Sequence, residues 1–146
     1  MNTNQFELLT DHFQFLFGDA IEGPRADTAN LWDADGSIGV IEEEPVVIGV
    51  ATVRHGEKTN VLLGVHESRP AEDLGWRSLG EFTLSVPSGK VLLWAPETDD
   101  VEASPGLALE PGAYRGVAMV HGDEEVSDEM ASEGPDRYKI VLWRNL

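Results

Sequence analysis

The stretch Leu109-Glu110-Pro111-Gly112-Ala113-Tyr114-Arg115 constrains the fold of this chain more than any other. Pro111 sets φ to the value that the second position of a type I or II turn requires, and Gly112 tolerates the positive φ that follows in type II. The apolar run Gly116-Val117-Ala118-Met119-Val120 comes next and reads as a strand. Leu-x-Pro-Gly-x-Tyr where a strand begins is the pattern of a tyrosine corner. There a phenol reaches back to the backbone a few residues upstream, across an arch that joins two sheets. Leu109, Pro111, Gly112 and Tyr114 are therefore expected to form a structural corner. The alternative is a plain hairpin turn ahead of an interfacial tyrosine.

The remaining chain is expected to supply the sheets. Phe13, Phe15 and Phe17 alternate with His12, Gln14 and Leu16, which places three rings on the core face of a first strand. Val46 to Val53 is rich in β-branched residues, and His55-Gly56-Glu57-Lys58 links it to the run Asn60 to His66, as an antiparallel hairpin. Phe82, Leu84 and Val86 alternate with Thr83 and Ser85, and Pro87-Ser88-Gly89-Lys90 leads from there to Val91-Leu92-Leu93-Trp94, a second hairpin. Tyr138 to Trp143 closes the pattern. No stretch sustains the 3.6-residue period of a helix, although Leu8 to Leu16 can be forced into one and Asp123 to Ser132 has room for a turn or two. About eight or nine short strands separated by turn signals predict an all-β chain. The corner favours a single-domain antiparallel Greek-key β-sandwich over residues 1–146, in preference to a barrel.

At 146 residues the chain is long enough to bury a core without staples, and it contains no Cys. Its first twenty residues hold neither Lys nor Arg and no unbroken apolar run, so no secretory leader is expected. No run approaches a membrane span, and a cytoplasmic protein is the expectation. Charge is the extreme property: 27 acids against 10 bases, net −17. That sign opposes binding to nucleic acid or to anionic membranes and permits steering of a basic partner.

Candidate chemistry is sparse. There is no Gly-x-Ser-x-Gly elbow, no Cys nucleophile and no Gly-rich phosphate loop. Asp33-Ala34-Asp35-Gly36-Ser37 resembles the start of a calcium loop, but an apolar strand follows where the loop would curl, so an Asp-Gly turn is the reading. His12, His55, His66 and His121 show no zinc spacing; His55 and His66 flank one expected hairpin. No enzyme activity, metal or cofactor is expected. The alternative function is a small-molecule or metal-binding module, or a carboxylate-based hydrolase, with Trp32, Trp76 and Trp94 lining a pocket.

The acids are not spread evenly. Glu97, Asp99, Asp100 and Glu102 precede the corner strand, and Asp123, Glu124, Glu125, Asp128, Glu129, Glu133 and Asp136 follow it with no base among them. Loops gathered at one end of a sandwich can form one surface. An acidic surface on a rigid scaffold suits a basic protein, through steering and charge-assisted bonds. Glu97, Asp99, Asp100, Glu102, Asp123, Glu124, Glu125, Asp128 and Glu129 are the expected partner-binding residues; solvated loops without a partner are the alternative.

The layout resembles a known family. His12-Phe13-Gln14-Phe15, Trp32-Asp33, Asp35-Gly36, Glu81-Phe82, the Leu109 to Arg115 stretch and a closing Leu142-Trp143 are together similar to small bacterial proteins of the competence protein J type. The likeness spans roughly residues 8 to 143. It implies a non-enzymatic β protein, an inhibitor or immunity protein that masks a nuclease, and it assigns no binding residues.

Overall fold

The structure, a computed structural model, describes residues 2–21, 23–25, 38–41, 46–71, 75–96 and 104–144. Among the described residues, ten strands form two five-stranded sheets. The first contains β1 (Asn2–Thr10), β5 (Glu57–His66), β6 (Arg77–Val86), β9 (Gly112–His121) and β10 (Arg137–Arg144), in the order β1-β5-β10-β9-β6. The second contains β2 (Gln14–Asp19), β3 (Ile38–Ile41), β4 (Val47–Ala51), β7 (Lys90–Trp94) and β8 (Gly106–Ala108), in the order β3-β4-β2-β7-β8. No α-helix occurs among the described residues; two 3-10 turns, Gly23–Arg25 and Asp123–Glu125, are the only helical elements there.

The all-β sandwich expected from the sequence is what forms. Alternation delivers one face of each strand to a shared core. Phe82, Leu84, Val86, Tyr114, Ala118, Val120, Tyr138, Ile140 and Leu142 come from the first sheet, and Phe15, Phe17, Ile48, Val50, Val91 and Leu93 from the second. Strand β9 returns beside β6 after the excursion of β7 and β8 into the other sheet, the first-to-fourth relation of a Greek key.

Several expectations are corrected. One pairing is parallel: β5 and β10 run together, with Val61 opposite Tyr138 and Leu63 opposite Ile140. The reason lies just before both strands, where Arg54 and Asp136 are joined and start the two strands from the same end of the sandwich. Neither expected hairpin is one. Strands β4 and β5 lie in different sheets, as do β6 and β7, so the short connections 52–56 and 87–89 cross the sandwich. A short Gly-containing turn suits an arch as well as a hairpin. Here β1 and β10 occupy both edges of β5, and β4, buried along nearly its whole length, is held between β3 and β2.

The aromatic alternation is also cut short. Strand β1 precedes it, so Phe15 and Phe17 lie on the second strand and are fully buried, whereas Phe13 is 36% exposed. His12 and Phe13 take left-handed φ values of 51° and 59° in the tight turn that carries the chain from one sheet to the other. Phe13 rests edge-on against the His55 ring, and its carbonyl accepts from the Thr52 amide at 2.8 Å.

Candidate functional site

Strands β9 and β10 pair antiparallel, and the segment 122–136 that joins them carries most of the described acid cluster. A connection of this length with no strand or α-helix of its own is uncommon in a compact domain. It opens with Gly122 at φ 79°, passes through the 3-10 turn Asp123–Glu125, and closes a further turn at Asp128. There the Asp128 carboxylate accepts from the Met130 amide at 2.9 Å.

The loop is moored. His55 donates its amide to the Glu129 carbonyl at 2.6 Å, and Lys58 donates its amide to Ser132 at 3.0 Å. Beneath these bonds lies Arg54, 1% exposed. Its Nε donates to Asp136 Oδ1 at 2.6 Å, Nη1 to the Ala131 carbonyl at 3.1 Å, and Nη2 to the Lys58 carbonyl at 2.8 Å. Asp136 is itself fully buried, and its second oxygen accepts from the Tyr138 hydroxyl at 2.9 Å. That hydroxyl in turn accepts the Val53 amide at 2.8 Å. Gly134 leaves room for this packing, since a Cβ there would lie 2.5 Å from Arg54 Nε. A buried charge pair with its remaining hydrogen-bonding capacity satisfied holds one arrangement of the chain, because any other strands a charge away from water.

The acids of the loop therefore divide. Asp136 is structural. Asp123 is paired with Arg77, and Glu133 with Lys58. Glu124, Glu125, Asp128 and Glu129 remain exposed with no cationic partner among the described residues. Glu97, Asp99, Asp100 and Glu102 lie outside the described residues, as do Trp32, Asp33, Asp35 and Gly36.

Burial raises the ionisation of the Tyr138 phenol well above its ordinary range, and the adjacent Asp136 charge adds to the rise. A folded-state pKa above the unfolded one gives stability that is complete below the unfolded value and lost as pH climbs past it. Stability should consequently fall above pH ~10, by up to about 1.4 kcal/mol per pH unit from this group. Urea midpoints measured from pH 8 to 11 should show that fall, with a shallower slope in Tyr138→Phe; equal slopes would refute the assignment.

At the corner, the Tyr114 hydroxyl donates to the Glu110 carbonyl at 2.5 Å, four residues back, where the chain arches from β8 to β9. Tyr114 is buried, Leu109 packs on the core and donates its amide to the Gly89 carbonyl, and Gly112 takes φ 148°. The Arg144 guanidinium stands over the Tyr114 ring at 5.5 Å and pairs with Glu110 at 3.3 Å. Tyr114→Phe should cost roughly 0.5–1.5 kcal/mol in chemical denaturation; no change in midpoint would mean the bond contributes nothing.

The other sequence candidates separate. His55 stands before the start of β5 and His66 at its end, a ten-residue strand apart, so they share no site. The cause is the arch at 52–56, which leaves no second strand to bring them together. Trp94 is buried on the outer side of the second sheet with Leu16, Val47 and Leu92, whereas Trp76 is half-buried beside the outer side of the first, so these two share no pocket. No group of three metal-ligating side chains occurs among the described residues. No helix there is long and apolar enough to cross a membrane.

Sequence reasoning missed Arg54 and the role of Asp136. Nothing in either residue's neighbourhood marks a partner 82 positions away.

The two-sheet β-sandwich of this chain is represented among solved structures. One is ComJ from Bacillus subtilis, inhibitor of the DNA-degrading activity of NucA; it matches 98% of this chain and 95% of its own, with TM-score 0.63 and 13% identity. Another is the protein of crocagin biosynthetic gene J, matching the whole of both chains with TM-score 0.61 and 21% identity. These likenesses establish a shared fold, and they agree with the resemblance carried by the sequence. No protein-family model and no curated protein sequence matches the chain.

Proposed function

We propose that this chain is a cytoplasmic, non-enzymatic protein-binding module of the nuclease-inhibitor type, and that the exposed acids of its moored loop contact a basic partner. The observation that carries the reading is the mooring. Asp128 and Glu129 stand on backbone held by the His55–Glu129 and Lys58–Ser132 bonds and by Arg54, and Glu124 and Glu125 follow Asp123 in a 3-10 turn that Arg77 pairs with. Charges held in place lose little further freedom on binding, which is where an interface otherwise loses much of its affinity. Asp123 belongs to the same surface, already turned toward a guanidinium, that of Arg77. Glu97, Asp99, Asp100 and Glu102 enter the proposal by their position in the chain. The fold shared with ComJ, which inhibits a nuclease, supports the reading.

The test is capture from cells that express the protein, at low and at high salt, followed by a DNA-degradation assay on what is retained. A basic nuclease held at low salt, released at high salt and inhibited in the assay is the expected result. Retention indifferent to salt, or of no basic protein, would remove the proposal.

A further inference from the structure

The outer face of the first sheet departs from the rest of the molecule in its charge. Strand register places Lys58, Arg115, Arg137 and Lys139 on that face, against Glu7 and Glu81 as the acids of the same strands. Lys58 is paired with Glu133 at the far end of the face, which leaves Arg115, Arg137 and Lys139 as a cluster of cations on a chain of net −17. Between these cations the face is apolar: Val117, Met119, Val141 and Trp143 follow one another across β9 and β10.

The segment after β5 folds back over this face. Arg69 stands above the Trp143 ring at 5.4 Å, and its Nη1 meets Glu81 Oε1 at 2.7 Å. Trp143 is thereby only 6% exposed, although it points away from the core. Across from it, Trp76 leans on His121 with ring centroids 5.4 Å apart, and the Lys139 ammonium lies 4.7 Å from its ring centroid. The space left open has a volume of 470 Å³ and is lined chiefly by Arg69, Trp76, Glu81, Val117, Met119 and Trp143. That lies within the range of about 300–1,000 Å³ typical of small-molecule sites.

We infer that this groove binds a planar aromatic carboxylate of small-molecule size. The Trp76 indole and Met119 would take the ring, over a floor of Val117 and Trp143, since aromatic groups and thioethers favour such contacts. Arg69 would take the carboxylate: a guanidinium has five N–H donors, and the bond to Glu81 uses one of them. Arg115, directly opposite Trp143 in the register, adds a second positive charge at that end. Glu81 would compete with the incoming carboxylate, which gives the site a distinctive response to substitution.

The probe is 2-naphthoate, with 2-naphthalenemethanol as its neutral counterpart, followed by tryptophan fluorescence and by amide chemical shifts. The expected result is saturable binding with shifts confined to residues around 69–71, 76–81, 117–119 and 143, and about tenfold weaker binding of the alcohol. Arg69→Gln, at a half-exposed side chain, should weaken naphthoate by about tenfold, and Glu81→Gln should tighten it several-fold by removing the competitor. Equal binding of acid and alcohol, indifference to both substitutions, or no binding up to about 10 mM would overturn the inference. So would concentration-dependent shifts at these residues without ligand, which would make a second copy of the chain the occupant. None of these outcomes bears on capture of a nuclease.

Discussion

Arg54→Met should lower the stability of the protein by about 3–5 kcal/mol, the range seen when one member of a buried ion pair is removed. The substitution keeps much of the side-chain volume and deletes the charge. It leaves Asp136, fully buried, without its cation, and it strips donors from the carbonyls of Ala131 and Lys58. Against a total stability of roughly 5–15 kcal/mol the loss is severe, equivalent to about 6–20 °C in Tm for a chain of this size. The double variant Arg54→Met/Asp136→Leu should recover much of the loss, because the orphaned charge is what makes the single change costly. Hydrogen exchange supplies a local readout: the His55 and Lys58 amides, bonded to Glu129 and Ser132, should exchange faster in the single variant than in the wild type. A loss below about 1 kcal/mol would show that the pair is not what holds the loop.

The second large effect concerns association. Replacing Glu124, Glu125 and Glu129 by Gln and Asp128 by Asn removes four exposed charges while preserving the side-chain oxygen that receives the Met130 amide. Stability should change by no more than about 0.5 kcal/mol, as for most surface substitutions. Association with the captured basic partner at low salt should slow by about 10- to 10³-fold, the scale of electrostatic steering, with dissociation altered less. At ~1 M salt, where the screening length is about 3 Å, the two proteins should associate at similar rates. Stopped-flow or biosensor kinetics at both salts measure this directly; a variant that matches the wild type at low salt would show that these acids do no more than keep the chain soluble.

The two predictions rest on parts of the molecule that were unequally legible. The acids and the corner lie close together in the chain. Tyr114 needs only Glu110, four residues back, and a turn-forming Pro-Gly pair between them to place its hydroxyl. Such a unit is written in one window of sequence. Arg54 is not. It stands between Val53 and His55, where a charged residue reads as the solvated end of a strand, and the carboxylate that neutralises it is on a segment some 80 residues later. The same limit explains the two misread hairpins. Glycine and proline mark where a chain can reverse, but whether the strands on either side hydrogen-bond or face each other across a core depends on which other strands fill their edges.

Local alternation and turn chemistry, which act over two to five residues, were enough to determine from sequence alone that this chain makes short strands, two layers and an arch at Leu109 to Tyr114. Tertiary structure alone decided the parallel pairing of β5 with β10, the burial of Arg54 on Asp136, and the gathering of Trp76, Trp143 and Arg69 into one groove on the outer face. Each of these depends on contacts between distant segments, whose free energy comes from desolvation and packing when the sheets assemble and leaves no periodic trace in the chain.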